Sequence, residues 1–154
     1  MNINTPEPIV RTGGHPILRM LLSFPIACFS GALVTDIAYA WTADMMWANF
    51  SAWLLATGML MGVLAGIVGS VHVLAHRRAR SLRTVFVLFL GSLLVLGLAG
   101  LNNLVHSRDA WTSVVPLGLA ISAVTVVVML ITIWLGSGSV YRPVVGVQYS
   151  GVRQ

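Results

Sequence analysis

The chain has 154 residues, 57% of them hydrophobic and only 8% charged, with a mean hydropathy of +0.89. Soluble domains carry about 25% charged residues, so a soluble globular fold is excluded and an integral membrane protein is the class that fits. All nine basic residues are arginine, against four acids; they stand mostly at the ends of apolar runs rather than in one patch, which argues against nucleic acid as a partner.

Residues 1–14 form a polar arm in which Pro6, Pro8, Gly13 and Gly14 oppose a helix. The arm lacks the charged-then-apolar layout of a cleaved signal peptide, so the first apolar run is expected to stay in the membrane. A membrane domain follows over 15–139, with spans at about 17–41, 47–75, 85–105 and 114–135. Pro16 suits a first helical turn, where its missing N–H costs nothing. Pro25 lies inside span one and is expected to kink it. Span two is longer than a bilayer needs, so its first turns, with Trp47, Asn49 and Trp53, are expected in the interface. Thr112 or Ser113 is placed to cap span four, and Gly136, Gly138 and Pro143 to end it. Residues 140–154 read as an extended tail. The single cysteine, Cys28, rules out an internal disulfide. The fold expected is all-α, a four-helix transmembrane bundle.

Arginine sets the expected orientation. Arg77, Arg78, Arg80 and Arg83 join spans two and three with no acid among them, so that loop is expected in the cytoplasm. Four spans then put both the N and C termini in the cytoplasm as well. Trp41, Trp47 and Trp111 would form an aromatic belt at the outer surface.

Two groups of residues can carry chemistry. In span two, Gly58, Gly62, Gly66 and Gly69 share one helix face with His72 and His76. A stripe without side chains lets another helix approach closely, and that packing role is the commoner one; the same stripe would admit a flat cofactor. His15, His72 and His76 fall at similar depth. Imidazoles from two helices can ligate a b-type haem, and His72 with His76 can chelate a transition metal; contact with water or lipid headgroups is the plainer reading. The outer group is Asp36, Asn102, His106, Arg108 and Asp109. An acid in an apolar span is a functional candidate by default. Asp36 can pair with His106 or Arg108 to hold the helix ends together, or it can serve a quinone or proton-handling site. The hydroxyls of Ser122, Thr125 and Thr132 can bond their own helix or a neighbour. No nucleophile with its base, phosphate loop, HExxH or CxxCH is present, so catalysis has no recognisable machinery.

The strings HPILRMLLSFPIACFSGALVTDIAYAW (15–41), MMWANFSAWLLATGMLMGVLAG (45–66) and LVHSRDAWTSVVPLGLAISAVTV (104–126), with the WLG…VYR…VGV ending, resemble the bacterial membrane proteins grouped as domain of unknown function 2231. The resemblance covers nearly the whole chain and implies a four-span bacterial inner-membrane protein. Some relatives are encoded beside, or fused to, periplasmic quinoprotein dehydrogenases or cytochromes c, which implies a redox-linked membrane subunit. His15, Asp36, His106, Arg108 and Asp109 follow the family pattern. Leu18-Arg19, His72, Leu88 and Pro143 depart from it, where relatives carry a second His-Pro, an Asp, a His and a His. Those departures imply either a replacement ligand set at His72 and His76 or a scaffold kept without its cofactor.

The expected function is a small inner-membrane subunit, an anchor or electron-transfer partner with haem b or quinone, in a respiratory or quinoprotein dehydrogenase assembly. The alternative is a structural subunit without a cofactor that packs against helices or lipids. Membrane lipids and either a protein complex or a homo-oligomer are the expected partners.

Overall fold

The computed structural model describes residues 16–75, 82–107 and 114–137. They form four long helices, each apolar and long enough to cross a membrane. In hydrocarbon every backbone N–H and C=O must be paired within the segment, and a helix does this for an apolar run. Helix α1 spans Pro16–Thr42 and continues through Pro25, α2 spans Met45–Ala75, α3 spans Leu82–His106 and α4 spans Leu119–Ser137. A kinked segment, Val114–Gly118, leads into α4. The helices pack mainly as two hairpins, α1 on α2 and α3 on α4, and contacts of α2 with α3 and of α1 with α4 close the ring.

Helix limits differ from the expected spans where side chains act on the backbone. Helix α2 begins at Met45, two residues before the expected Trp47, because Asp44 Oδ1 accepts the Met46 N–H at 2.9 Å and caps the first turn. Ala43, between α1 and α2, has φ 54 and donates its N–H to Tyr39 O at 2.8 Å. This is the left-handed residue that closes many helices, more often glycine.

The fourth span departs further from expectation. Regular helix starts at Leu119, not Val114, because Val115 is extended (φ −115, ψ 130). The following residue, Pro116, drives its predecessor out of helical geometry; the Val115–Pro116 bond is cis. The expected caps, Thr112 and Ser113, lie outside the described residues, as do 1–15 and 138–154.

Burial follows one seam on each helix. It takes in Pro25, Phe29, Ala32, Asp36 and Tyr39 on α1, and Ala48, Ser51, Leu55 and Gly58 on α2. On α3 it takes in Val95, Ala99, Asn102 and Val105, and towards α4 Val114, Gly118, Ser122, Thr125 and Met129. Steps of three and four residues are the spacing of antiparallel bundles. Phe29, Ala32, Leu55, Val95, Ala99 and Met129 make the apolar centre.

The glycines divide in a way the stripe reading did not anticipate. A methyl on Gly58 would lie 2.6 Å from Phe29 Cε1, and one on Gly62 2.7 Å from Leu96 Cδ2. Gly66 faces open space, and Gly69 would meet only Leu18, at 3.7 Å. The close approach therefore stops halfway down α2. Tight glycine contacts occur elsewhere, at Gly91 against Thr132 and Gly136 against Leu88, both between α3 and α4. Gly136 stands in the last turn of α4, whose described part ends at Ser137, and packs there against Leu88.

Candidate functional site: a buried polar network joining four helices

Asp36 sits six residues before the end of α1 and is completely buried. A lone carboxylate in this setting would be very costly, so its partners decide what it is. Each of the other helices supplies one. Ser51 on α2 donates to Asp36 Oδ1 at 2.5 Å, Ser122 on α4 donates to Oδ2, and His106 on α3 brings Nε2 to 2.8 Å from Oδ1. The side chains of His106 and Asp36 are both fully enclosed.

The hydrogen-bond directions fix most protons. His106 Nδ1 lies 3.0 Å from the Asn102 carbonyl, which can only accept, so Nδ1 carries a proton. Asn102 Nδ2 donates to Ser122 Oγ at 2.6 Å, leaving the Ser122 proton for Asp36 Oδ2. Thr35 Oγ1 lies 2.6 Å from Ser51 Oγ and can hand it a proton in the same way, leaving the Ser51 proton for Oδ1. One further proton sits between His106 Nε2 and Asp36 Oδ1. The arrangement is an imidazolium facing a carboxylate, or the neutral pair that results when that proton crosses. Either form has no net charge, which is what low dielectric demands.

One atom is left over. Asn102 is fully buried, and its Oδ1 has no hydrogen-bond partner among the described residues. Thr125, also buried, instead turns back to Ile121 O at 2.7 Å, and Thr132 to Val128 O at 2.8 Å.

Of the outer group expected from the sequence, the structure brings Asp36, Asn102 and His106 together, while Arg108 and Asp109 lie outside the described residues. Asn102 contributes through Ser122 and through its backbone carbonyl, not by touching Asp36. Ser51 and Thr35 were not singled out by sequence reasoning. The available signal was the run Ala48, Ser51, Leu55, Gly58, which places Ser51 among small residues on the buried seam of α2.

His72 lies half-buried in the last turn of α2, 21 residues beyond Ser51, hence about 30 Å from the network along the helix. His15 and His76 lie outside the described residues. Among the described residues no three His, Cys, Asp or Glu side chains come together as a metal-binding group.

No curated protein and no solved structure matches the chain. A family described as "Predicted membrane protein (DUF2231)" matches residues 14–149, almost its full length. The chain is a multi-pass membrane protein that belongs to this family, domain of unknown function 2231.

Proposed function

We propose that the chain is a small, non-catalytic anchor subunit of a bacterial inner-membrane assembly. The observation that carries this reading is the direction of its polar side chains. Asp36, His106, Ser51, Ser122 and Asn102 are turned on one another, across all four helices, and so hold the bundle together. What is left outward is mostly apolar: Val34, Trp53, Leu60, Leu101, Leu104 and Trp134 are all more than half exposed. Such a surface fits lipid and the helices of a partner. In this reading the redox or catalytic work belongs to the partner.

The test is gentle purification from the native membrane, followed by oxidised and dithionite-reduced optical spectra of the chain separated from its companions. The expected result is a flat spectrum for the chain and a co-purifying subunit that carries a redox cofactor. A b-type haem signal in the isolated chain that vanishes in His72→Ala or His15→Ala would replace the anchor with an electron carrier.

A further inference from the structure

We propose that the bundle binds one anionic phospholipid at the end where α2 finishes and α3 begins: an acyl chain lies in a cleft between these two helices, and the headgroup meets Arg83. The cleft follows from where contact between the two hairpins stops. Within each hairpin the helices stay together to this end. A Cβ on Gly69 of α2 would still meet Leu18 of α1 at 3.7 Å, and one on Gly136 of α4 would meet Leu88 of α3 at 2.5 Å. Between the hairpins, a Cβ on Gly100 of α3 would meet Met59 of α2 at 3.4 Å, and one on Gly62 of α2 would meet Leu96 of α3 at 2.7 Å. One turn further along α2, a Cβ on Gly66 would meet nothing within 4 Å.

Gly66 is nonetheless turned towards α3. It follows Met59 by two helical turns and so points within about 20° of the same direction, and Met59 touches α3. The facing side of α3 agrees. Two turns from Gly100 and Leu96 on that side stand Leu93 and Phe89, which are 57% and 61% exposed. Beyond them, Leu82, Arg83, Val85, Phe86 and Phe89 line an open recess of about 550 Å³. The helices of the two hairpins have therefore parted here, and the gap opens sideways to lipid.

Chemistry and dimensions select the occupant. The walls are hydrocarbon apart from Ser70, on the same side of α2, whose hydroxyl donates back to Gly66 O at 2.7 Å. From Gly66 to Ala75 the α2 wall is about 14 Å tall, about one leaflet of a hydrocarbon core roughly 30 Å thick. The Gly62–Leu96 contact closes it above that height, so it is too short to seat a spanning helix along its length and matches a single acyl chain. Charge sets the headgroup. Among the described residues the acids are Asp36 and Asp44, both towards the other end, whereas Arg19 and Arg83 stand exposed at this one. The link between α2 and α3 adds Arg77, Arg78 and Arg80 to the sequence and no acid. Basic groups between helices at a membrane surface select anionic lipid headgroups.

The experiment is native mass spectrometry of the full chain, freed of lipid in detergent and titrated with phosphatidylglycerol or with phosphatidylcholine of the same acyl chains. The expected result is one tightly held phosphatidylglycerol per chain. Arg83→Gln should weaken it about fivefold, the usual contribution of one arginine at an anionic headgroup, and leave phosphatidylcholine binding unchanged. Gly66→Phe puts a ring into the cleft and should abolish the tight adduct although every arginine remains. Ser70→Leu narrows the same cleft one turn further on and should weaken the adduct too, which keeps the test open if circular dichroism shows Gly66→Phe unfolded. Equal binding of the two lipids would overturn the proposal. So would an undiminished phosphatidylglycerol adduct in a folded cleft-filling variant, because the lipid would then sit elsewhere on the arginine surface. A lipid-free dimer that Gly66→Phe dissociates would also overturn it, by assigning the cleft to a second copy of the chain.

Discussion

The two ends of this bundle are built from helices of nearly the same composition and are held by different means. At the end where α1 and α3 finish, a carboxylate, an imidazole, two serines and an asparagine close a network across all four helices. At the other end, residues 16–24 of α1, 66–75 of α2 and 82–94 of α3 include no fully buried residue. There the tight contacts are those of Gly91 with Thr132 and Gly136 with Leu88, within the α3–α4 pair. Lipid tails are as apolar as leucine, so burying leucine between helices gains little in a membrane. Order has to come from polar pairing or from close contact at small residues. This protein uses the first at one end and the second, for one helix pair, at the other.

Removing the anchor of the polar end should do the most damage. Asp36→Ala leaves His106, Ser51 and Ser122 facing an empty site and is expected to cost about 3–5 kcal/mol, the usual cost of breaking a buried pair from one side. Asp36→Ala with His106→Ala should cost less than the sum of the two single changes. Equilibrium unfolding in detergent measures both, and additive losses would mean that the pair is not coupled.

The glycine end comes next. Gly136→Val or Gly91→Val forces a side chain into Leu88 or Thr132 and is expected to cost about 1–3 kcal/mol by overpacking. Gly66→Ala, which meets nothing within 4 Å, is expected to be neutral or to stabilise by up to about 1 kcal/mol through helix propensity. If the same unfolding assay gave equal losses at Gly66 and Gly91, close packing would extend along α2 as well, and the contrast between the ends would fade. The smallest effect concerns the turn. Ala43 has a left-handed backbone, so Ala43→Gly should stabilise by about 0.5–1 kcal/mol, visible as a slightly raised melting temperature.

Much of this was legible before the structure, and the reasons differ by residue. The four spans show in hydropathy because the bilayer imposes a length and a composition. Asp36 and His106 stand out because an ionisable group in an apolar run is rare and needs a partner. Ser51 does not stand out, and Ser122 does so only as one of three span-four hydroxyls with two choices, since a helical hydroxyl can equally bond its own backbone, as Ser70, Thr125 and Thr132 do. Which way a serine turns depends on the rotation of its helix in the bundle, a tertiary property. The glycine face of α2 was visible, but periodicity alone does not tell how far along it a neighbour follows. The late start of α4 was not anticipated, because the apolar run around Pro116 reads as continuous helix although a proline drives its predecessor, here Val115, out of helical geometry.

The tight Ala43–Asp44 link between α1 and α2 bears on how the molecule is made. So short a connection leaves the first two spans little choice but to enter the bilayer as a pair. That pair contains Asp36 and, of its three side-chain donors, only Ser51. Until translation delivers His106 and Ser122, the carboxyl is only partly satisfied in lipid. The half-made hairpin therefore carries a carboxyl with one side-chain donor where the finished bundle gives it three.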